Sequence, residues 1–241
     1  MKLDSHVAVI TGASSGIGRA IALALAAQGV SVYLIGRSEK KLFAIADSIK
    51  GGQKVITCQA DLTQDQDVRR VCEDIKRQFN KVDILIHSIG TIALGSMDAA
   101  PLTDFDLQLA VNVKVPYMLT KGLLPLIISS QGQIVFMNSS SGARSAQAQL
   151  GQYAATKHAL KAIADSLREE VNSDGVRVLS VYPGRTATSM QEAIYRMEER
   201  DYHPERLLQP DDIASMVIAA LSLPGTAEVT DIHIRPMVKN G

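Results

Sequence analysis

The sequence predicts an α/β fold, a doubly wound parallel sheet of about seven strands with helices on both faces, in one domain spanning residues 1–241. Three observations carry this expectation. Short, near-continuous apolar runs alternate with helical patterns from end to end. The runs lack the in–out alternation of a sheet with one wet face, so both faces are covered, as in parallel sheets. Small and polar clusters fall just past the carboxyl ends of the runs, where a sheet built from right-handed crossovers binds its ligands.

Strand patterns lie at 7–11, 31–35, 54–60, 82–87, 133–138, 177–182 and 229–234. Helical patterns occupy 15–28, 39–50, 64–78, 102–129, 151–173 and 210–222. Segment 186–209 interrupts this rhythm. It is long, polar and aromatic-bearing, as substrate lids are, and Met190, Tyr195 and Met197 are expected to form its apolar underside. The chain shows no internal repeat, low-complexity tract or linker.

Bulk properties narrow the function classes. The 241 residues carry 25 Lys and Arg against 25 Asp and Glu, so neither a basic nucleic-acid surface nor a charged tail is expected. No apolar run reads as a membrane span, and residues 1–6 lack a signal-peptide core. The two cysteines, Cys58 and Cys72, lack metal-ligand spacing and a disulfide framework, so buried free thiols and no metal are expected. The resulting expectation is a soluble, cytoplasmic protein with no membrane partner.

The first strand runs into Thr11-Gly12-Ala-Ser-Ser-Gly16-Ile-Gly18 and then a helix. A strand, a glycine turn and a helix N-terminus aim backbone N–H groups and a positive dipole end at one point, which suits a phosphate. Gly12 is expected at positive φ, Gly16 where a pyrophosphate approaches, and Gly18 where helix and strand pack closely. Ser14, Ser15 and Ile17 complete the turn. The second strand ends at Arg37, where a dinucleotide fold using NAD(H) carries an acid. A guanidinium clamps a 2′-phosphate that an acid would repel, so NADP(H) is expected over NAD(H). Asp61, followed by Leu62, ends the third strand and either contacts the adenine or caps the next helix.

Tyr153 and Lys157 lie four apart at a helix start and share a face. A phenol titrates near pH 10, so work at neutral pH needs help. A neighbouring ammonium and the helix N-terminus are expected to lower its pKa. The fifth strand ends in Ser139-Ser140-Ser141-Gly142, hydroxyls placed to meet a substrate oxygen. Asn112 lies among apolar residues of a long helix, either as a satisfied core amide or within a functional network.

Together these residues resemble the short-chain dehydrogenase/reductase family, in its small single-domain branch with a Rossmann-like fold, over essentially the whole chain. Thr11-Gly12-x-x-x-Gly16-x-Gly18 looks like its cofactor motif and Tyr153-x-x-x-Lys157 its catalytic motif. The resemblance implies that Tyr153 is the general acid/base, that Lys157 lowers its pKa and holds the nicotinamide ribose, that Ser139 bonds the substrate oxygen, and that Asn112 positions a relay water. It implies cofactor contacts from Asp61 and Leu62, from Ser88 and Gly90 after the fourth strand, and from Pro183, Gly184, Thr186 and Thr188 at the nicotinamide. Two departures stand out. His87-Ser88 replaces the family's Asn-Asn, with a structural role for His87 expected over acid/base work. Counting along the fifth strand picks Ser139, whereas counting back from Tyr153 picks Ser140; loops absorb insertions more readily than strands, which favours Ser139.

The implied function is an NADP(H)-dependent oxidoreductase interconverting a carbonyl compound and its alcohol. Substrate is expected to enter over residues 138–146 and under the lid. A moderately hydrophobic small molecule would suit the lid's Met and Tyr residues. A homodimer or homotetramer packing helices 102–129 and 151–173 is implied by the resemblance. The rival outside catalysis is an NADP(H)-binding sensor or scaffold on the same fold. A cofactor-retaining sugar epimerase or dehydratase would need a larger substrate domain than the short C-terminal segment allows.

Overall fold

The computed structural model describes residues 2–143 and 147–238. Seven strands form one parallel sheet: β1 (Val7–Thr11), β2 (Ser31–Gly36), β3 (Val55–Gln59), β4 (Ile84–His87), β5 (Gln133–Met137), β6 (Arg177–Pro183) and β7 (Asp231–Ile234). Their order is β3-β2-β1-β4-β5-β6-β7. The chain reverses direction across the sheet between β1 and β4, which opens a crevice at their carboxyl ends.

The helices are α1 (Gly16–Ala27), α2 (Glu39–Ser48), α3 (Asp65–Gln78), α4 (Leu102–Leu109), α5 (Val115–Ser129), α6 (Gly151–Val171), α7 (Ser189–Met197) and α8 (Pro210–Leu221). Successive strand residues point to opposite faces, and each face has its own core. Ala8 and Ile10 of β1 pack with Ile21 and Leu25 of α1, Leu42 of α2 and Val217 of α8. Val9 packs on the other face with Val71 and Ile75 of α3, Leu119 and Leu123 of α5, and Leu160 and Ala164 of α6. Burial on both sides is why the strands read as continuous apolar runs.

Elements differ from expectation mainly at their ends. The fourth strand starts at Ile84 because the Asp83 carboxylate accepts the Val7 N–H at 2.7 Å. The helix expected over 102–129 is continuous but widens into a π-turn at Ala110–Lys114. The 102–129 helix has the length of a membrane span, and an 18-residue stretch of it has a mean hydropathy of 1.2, enough to cross a membrane by length and composition, which corrects the expectation that no run is so apolar. Its inner face nonetheless packs in the core with α3 and α6, and 44% of its apolar stretch is buried. Cys58 and Cys72 are free and buried, and no group of three potential metal ligands occurs among the described residues.

Candidate active site

The glycine turn between β1 and α1 takes the shape its spacing predicts. Gly12 and Gly16 adopt φ of +66° and +52°, angles that an L side chain resists. A Cβ on Gly18 would sit 2.5 Å from the Gly12 carbonyl oxygen and 3.1 Å from Ser88 Oγ, so only glycine lets α1 start this close to the turn. The Thr11 hydroxyl fastens the turn to the loop after β4: it donates to the Ile86 carbonyl and accepts the N–H groups of Ser88 and Ile89 at 3.0 and 3.2 Å. The N-terminus of α1 has no side-chain cap and no acid in its first turn. Its first N–H groups therefore face the crevice with their dipole uncompensated. Glycine cradle and uncapped helix together fit a pyrophosphate.

A cleft of about 430 Å³ runs from this turn over the carboxyl ends of the strands. Of the expected cofactor residues, Gly12, Ser14, Ser15, Gly16, Ile17, Gly18, Arg37, Leu62, Ser88, Gly90, Pro183, Gly184, Thr186 and Thr188 line it, as do Tyr153 and Lys157. Arg37 stands exposed at the end of β2, and among the described residues its guanidinium has no partner. Asp61 stays outside the lining. Its carboxylate accepts hydrogen bonds from the Thr63 N–H and hydroxyl, at 3.1 and 2.8 Å, so it is engaged as a local turn cap.

The catalytic candidates converge at the far end of the cleft. Ser139 follows β5, and its hydroxyl lies close enough to the Tyr153 phenol to favour phenolate; it accepts the Ser141 N–H at 3.2 Å. Ser140 lines the same cleft. Lys157 is buried, and its Nζ donates to the Met137 carbonyl at 3.0 Å. Asn112, on the π-turn, is fully buried. Its Oδ1 accepts the Thr91 N–H at 2.9 Å, and its Nδ2 donates to the Thr91 carbonyl and to Thr156 Oγ1. A Cβ on Gly90 would lie 3.6 Å from Asn112 Oδ1 and 4.0 Å from Lys157 Nζ, which places the three side by side. The Asn112 amide is satisfied within the protein and ties the loop after β4 to α6. Widened turns of this kind frequently mark functional positions.

The electrostatics overturn one expectation. The Tyr153 phenol has its pKa raised, because burial disfavours phenolate and the nearby Ser139 hydroxyl only partly offsets this. Lys157 does not depress it. Burial without a carboxylate partner lowers the lysine's own pKa to about 8, and Nζ lies 5.8 Å from the phenol ring centre while bonded to the Met137 carbonyl. His87 proves structural. Buried, it hydrogen-bonds Thr120 at 2.7 Å, stacks on Phe136, and is held neutral with a pKa of about 3.

The lid also departs in part. Helix α7 closes over the cleft, and Met190, Gln191 and Ile194 line it. Tyr195 instead packs within the lid, against Tyr202 and the guanidiniums of Arg185 and Arg200, and Met197 is half-exposed outside the lining. Of the expected entry loop 138–146, residues 144–146 lie outside the described residues.

Two contributors escaped sequence reasoning. Asn138 donates to the Lys157 carbonyl at 3.1 Å and accepts the Ser139 N–H at 2.9 Å, holding serine and lysine in one frame. Its position at the end of β5 was the available signal. Arg185 and Glu198, 13 residues apart in the chain, pair across the lid. Nothing in their spacing announces it.

A doubly wound sheet with a glycine turn opening onto a cleft has the form of a nucleotide-binding α/β protein. The sequence profile of the short chain dehydrogenases matches residues 6–199, and the chain belongs to that family. An uncharacterized oxidoreductase of Staphylococcus saprophyticus is 32% identical over 98% of this chain and 100% of its own length. Among solved structures, an alcohol dehydrogenase from the archaeon Thermococcus sibiricus, complexed with 5-hydroxy-NADP, superposes with a TM-score of 0.89 at 28% identity over 98% of each chain. A short chain dehydrogenase from Burkholderia cenocepacia in complex with NADP gives 0.85 at 29% identity, over 97% of this chain and 98% of that one.

Proposed function

We propose that the protein is an NADP(H)-dependent carbonyl reductase and alcohol dehydrogenase acting on a small molecule, with Tyr153 as acid/base. The observation that carries this is the single cleft joining the glycine turn and Arg37 at one end to Ser139, Tyr153 and Lys157 at the other. Bound there, the nicotinamide cofactor supplies or accepts the hydride. The α1 N-terminus and glycine turn hold the pyrophosphate, Arg37 the 2′-phosphate, and Leu62 flanks the adenine end. Pro183, Gly184, Thr186 and Thr188 border the nicotinamide end. The NADP-type ligands of the two structural relatives support the same choice.

The Ser139 hydroxyl orients the substrate oxygen beside the Tyr153 phenol. In reduction the phenol gives its proton to that oxygen; in oxidation the phenolate takes it back. A phenol held protonated by burial suits the reductive direction, since the acid is present at neutral pH. Lys157, pinned by its bond to the Met137 carbonyl, brings a cation beside the site and lies where a cofactor ribose would meet it. Asn112 keeps the loop after β4 and α6 in register behind these groups. We place the reaction in one domain, in the cytoplasm, in a homodimer or homotetramer. Leu102, Leu107 and Tyr117 on the outer face of the 102–129 helix are exposed apolar groups consistent with a subunit contact.

The rival, a non-catalytic NADP(H)-binding sensor, draws on one observation: Lys157 is bonded to a carbonyl and its charge leaves the phenol's pKa undepressed. Titration with NADPH and NADH, followed by turnover on a panel of aldehydes and ketones, separates the two. Tyr153→Phe should leave NADPH affinity within about threefold and cut turnover by 10³-fold or more, on the order of the loss of a general acid. Turnover surviving in that variant would refute the mechanism. NADPH binding with no turnover by the wild type would favour the sensor.

A further inference from the structure

We propose that Arg185 is a positioning residue that latches α7 closed over the cleft. This rests on the assignment of the cleft as the cofactor and substrate site. The lid is poorly held by packing. Helix α7 has nine residues, of which only Ile194 and Tyr195 are buried. A helix this short does not stand alone, and two buried side chains leave it among the least stable parts of a fold. The ends of the segment are nevertheless tied together. Thr186 bridges to Leu208, the Ala187 N–H donates to the Leu208 carbonyl, and the Leu208 N–H donates to the Arg185 carbonyl. What lies between is a flap on a fixed base, held by side chains that run from that base to the C-terminal end of α7; two of them, Arg185 and Glu198, also line the cleft.

Those contacts centre on Arg185, the first residue past Gly184. Its Nη2 donates to Glu198 Oε1 at 2.9 Å, and its guanidinium lies 4.8 Å from the Tyr195 ring centre. Arg200 sits over the same ring at 5.4 Å and reaches Glu198 Oε2 at 3.5 Å. One carboxylate thus bridges two guanidiniums that both engage Tyr195. The backbone is bent to achieve this. Glu199 takes a left-handed φ of +53°, and the Arg200 N–H returns to the Tyr195 carbonyl at 2.9 Å. Glu198 caps the C-terminus of α7, where the helix dipole disfavours an acid. Its placement makes sense through Arg185. The Arg185–Glu198 side chains are 32% and 25% exposed, whereas the Arg196–Glu192 pair on the same helix is 74% and 48% exposed. Solvent screens the second pair far more than the first.

The latch sets the position of the lid's inner face. With α7 down, Thr188 reaches the phosphate turn, its Cγ2 standing 3.1 Å from where a Gly16 Cβ would be. Met190, Gln191 and Ile194 roof the cleft. The competent state of the site is the latched one, so apparent affinity falls in proportion to the latched fraction.

The test compares full-length wild type with Arg185→Met and Arg185→Lys. The readouts are tryptic cleavage at Arg196, Arg200 and Arg206 without ligand, the Kd for NADPH by fluorescence, and the thermal midpoint. Arg185→Met should raise cleavage within this segment and the NADPH Kd each by about tenfold, with the thermal midpoint within a few degrees of wild type. Arg185→Lys keeps a charge for Glu198 without the stacked plane and should fall between. Unchanged cleavage in Arg185→Met would overturn the latch whatever the Kd, because Arg185 lines the cleft and a raised Kd alone marks a direct contact. So would a collapsed midpoint with cuts spread along the chain, which marks a general structural role. If the wild type fails to bind NADPH, the cofactor assignment fails instead, and the cleavage comparison still decides the latch.

Discussion

Replacing Lys157 with Met should stop turnover and make the protein more stable. The side chain is 3% exposed, and its one hydrogen bond runs from Nζ to the Met137 carbonyl at 3.0 Å. No carboxylate pairs with it among the described residues, so burial alone acts on it and lowers its pKa from 10.5 to about 8. That depression corresponds to roughly 3 kcal/mol of destabilisation of the charged form. Methionine has a similar length and no charge. The substitution forfeits the bond to Met137, about 1 kcal/mol. The expected net gain is about 2 kcal/mol near neutral pH, or roughly 4–8 °C in thermal midpoint for a chain of this size.

The sign with pH follows from the same depression. Below about pH 8 the folded lysine is charged and the full cost is present. Between about pH 8 and 10.5 the folded chain has released a proton that the unfolded chain still binds. Stability of the wild type therefore rises with pH across that window. The variant lacks this rise, so its advantage is largest near neutrality and disappears by about pH 10.5. Urea unfolding of both proteins at a neutral and an alkaline pH measures it. A variant less stable than wild type at neutral pH, or a difference that does not change with pH, would refute the account of Lys157 as an unpaired buried cation. A gain in stability bought with lost activity is the usual mark of a functional group held at cost.

Two further outcomes are expected. Arg37→Asp should weaken NADPH by about 100-fold and NADH by no more than a few fold, since the guanidinium meets only the 2′-phosphate; equal losses in parallel titrations would remove Arg37 as the phosphate reader. Gly18→Ala drives a methyl into the Gly12 carbonyl, with 2.5 Å available, so the turn must shift. Overpacking of this kind costs about 1–3 kcal/mol, and NADPH affinity should fall more than tenfold. Calorimetry showing neither change would mean that the turn is softer than its geometry indicates.

Much of the site was legible because it is local. The glycine turn needs positive φ at Gly12 and Gly16 and a missing side chain at Gly18, and only glycine meets all three demands, so the motif shows in the residues themselves. Tyr153 and Lys157 share one helix, and helical spacing brings both to the cleft. What did not show in the sequence depends on groups distant in the chain. The choice between Ser139 and Ser140 could not be made by counting, because two counts from different landmarks disagree. Both serines share the cleft with the phenol, at the point where β5 and α6 are locked together by Asn138. The direction of the Tyr153 pKa was misjudged for the same reason: proximity to a lysine was visible, while the burial that acts on both groups was not.

The sequence by itself determined the class of fold, the strand-end location of the candidate site and the polar groups that line its cleft. Strand and helix periods, turn residues and side-chain chemistry are properties of neighbouring residues, and neighbours are what a sequence records. Only the tertiary structure decided that Asp61 faces Thr63, that His87 is a neutral core imidazole on Phe136, and that Arg185 reaches across to Glu198. Each of these depends on which surfaces meet when the crossovers close, and on the solvent those contacts exclude. Burial and pairing are set by the whole chain at once.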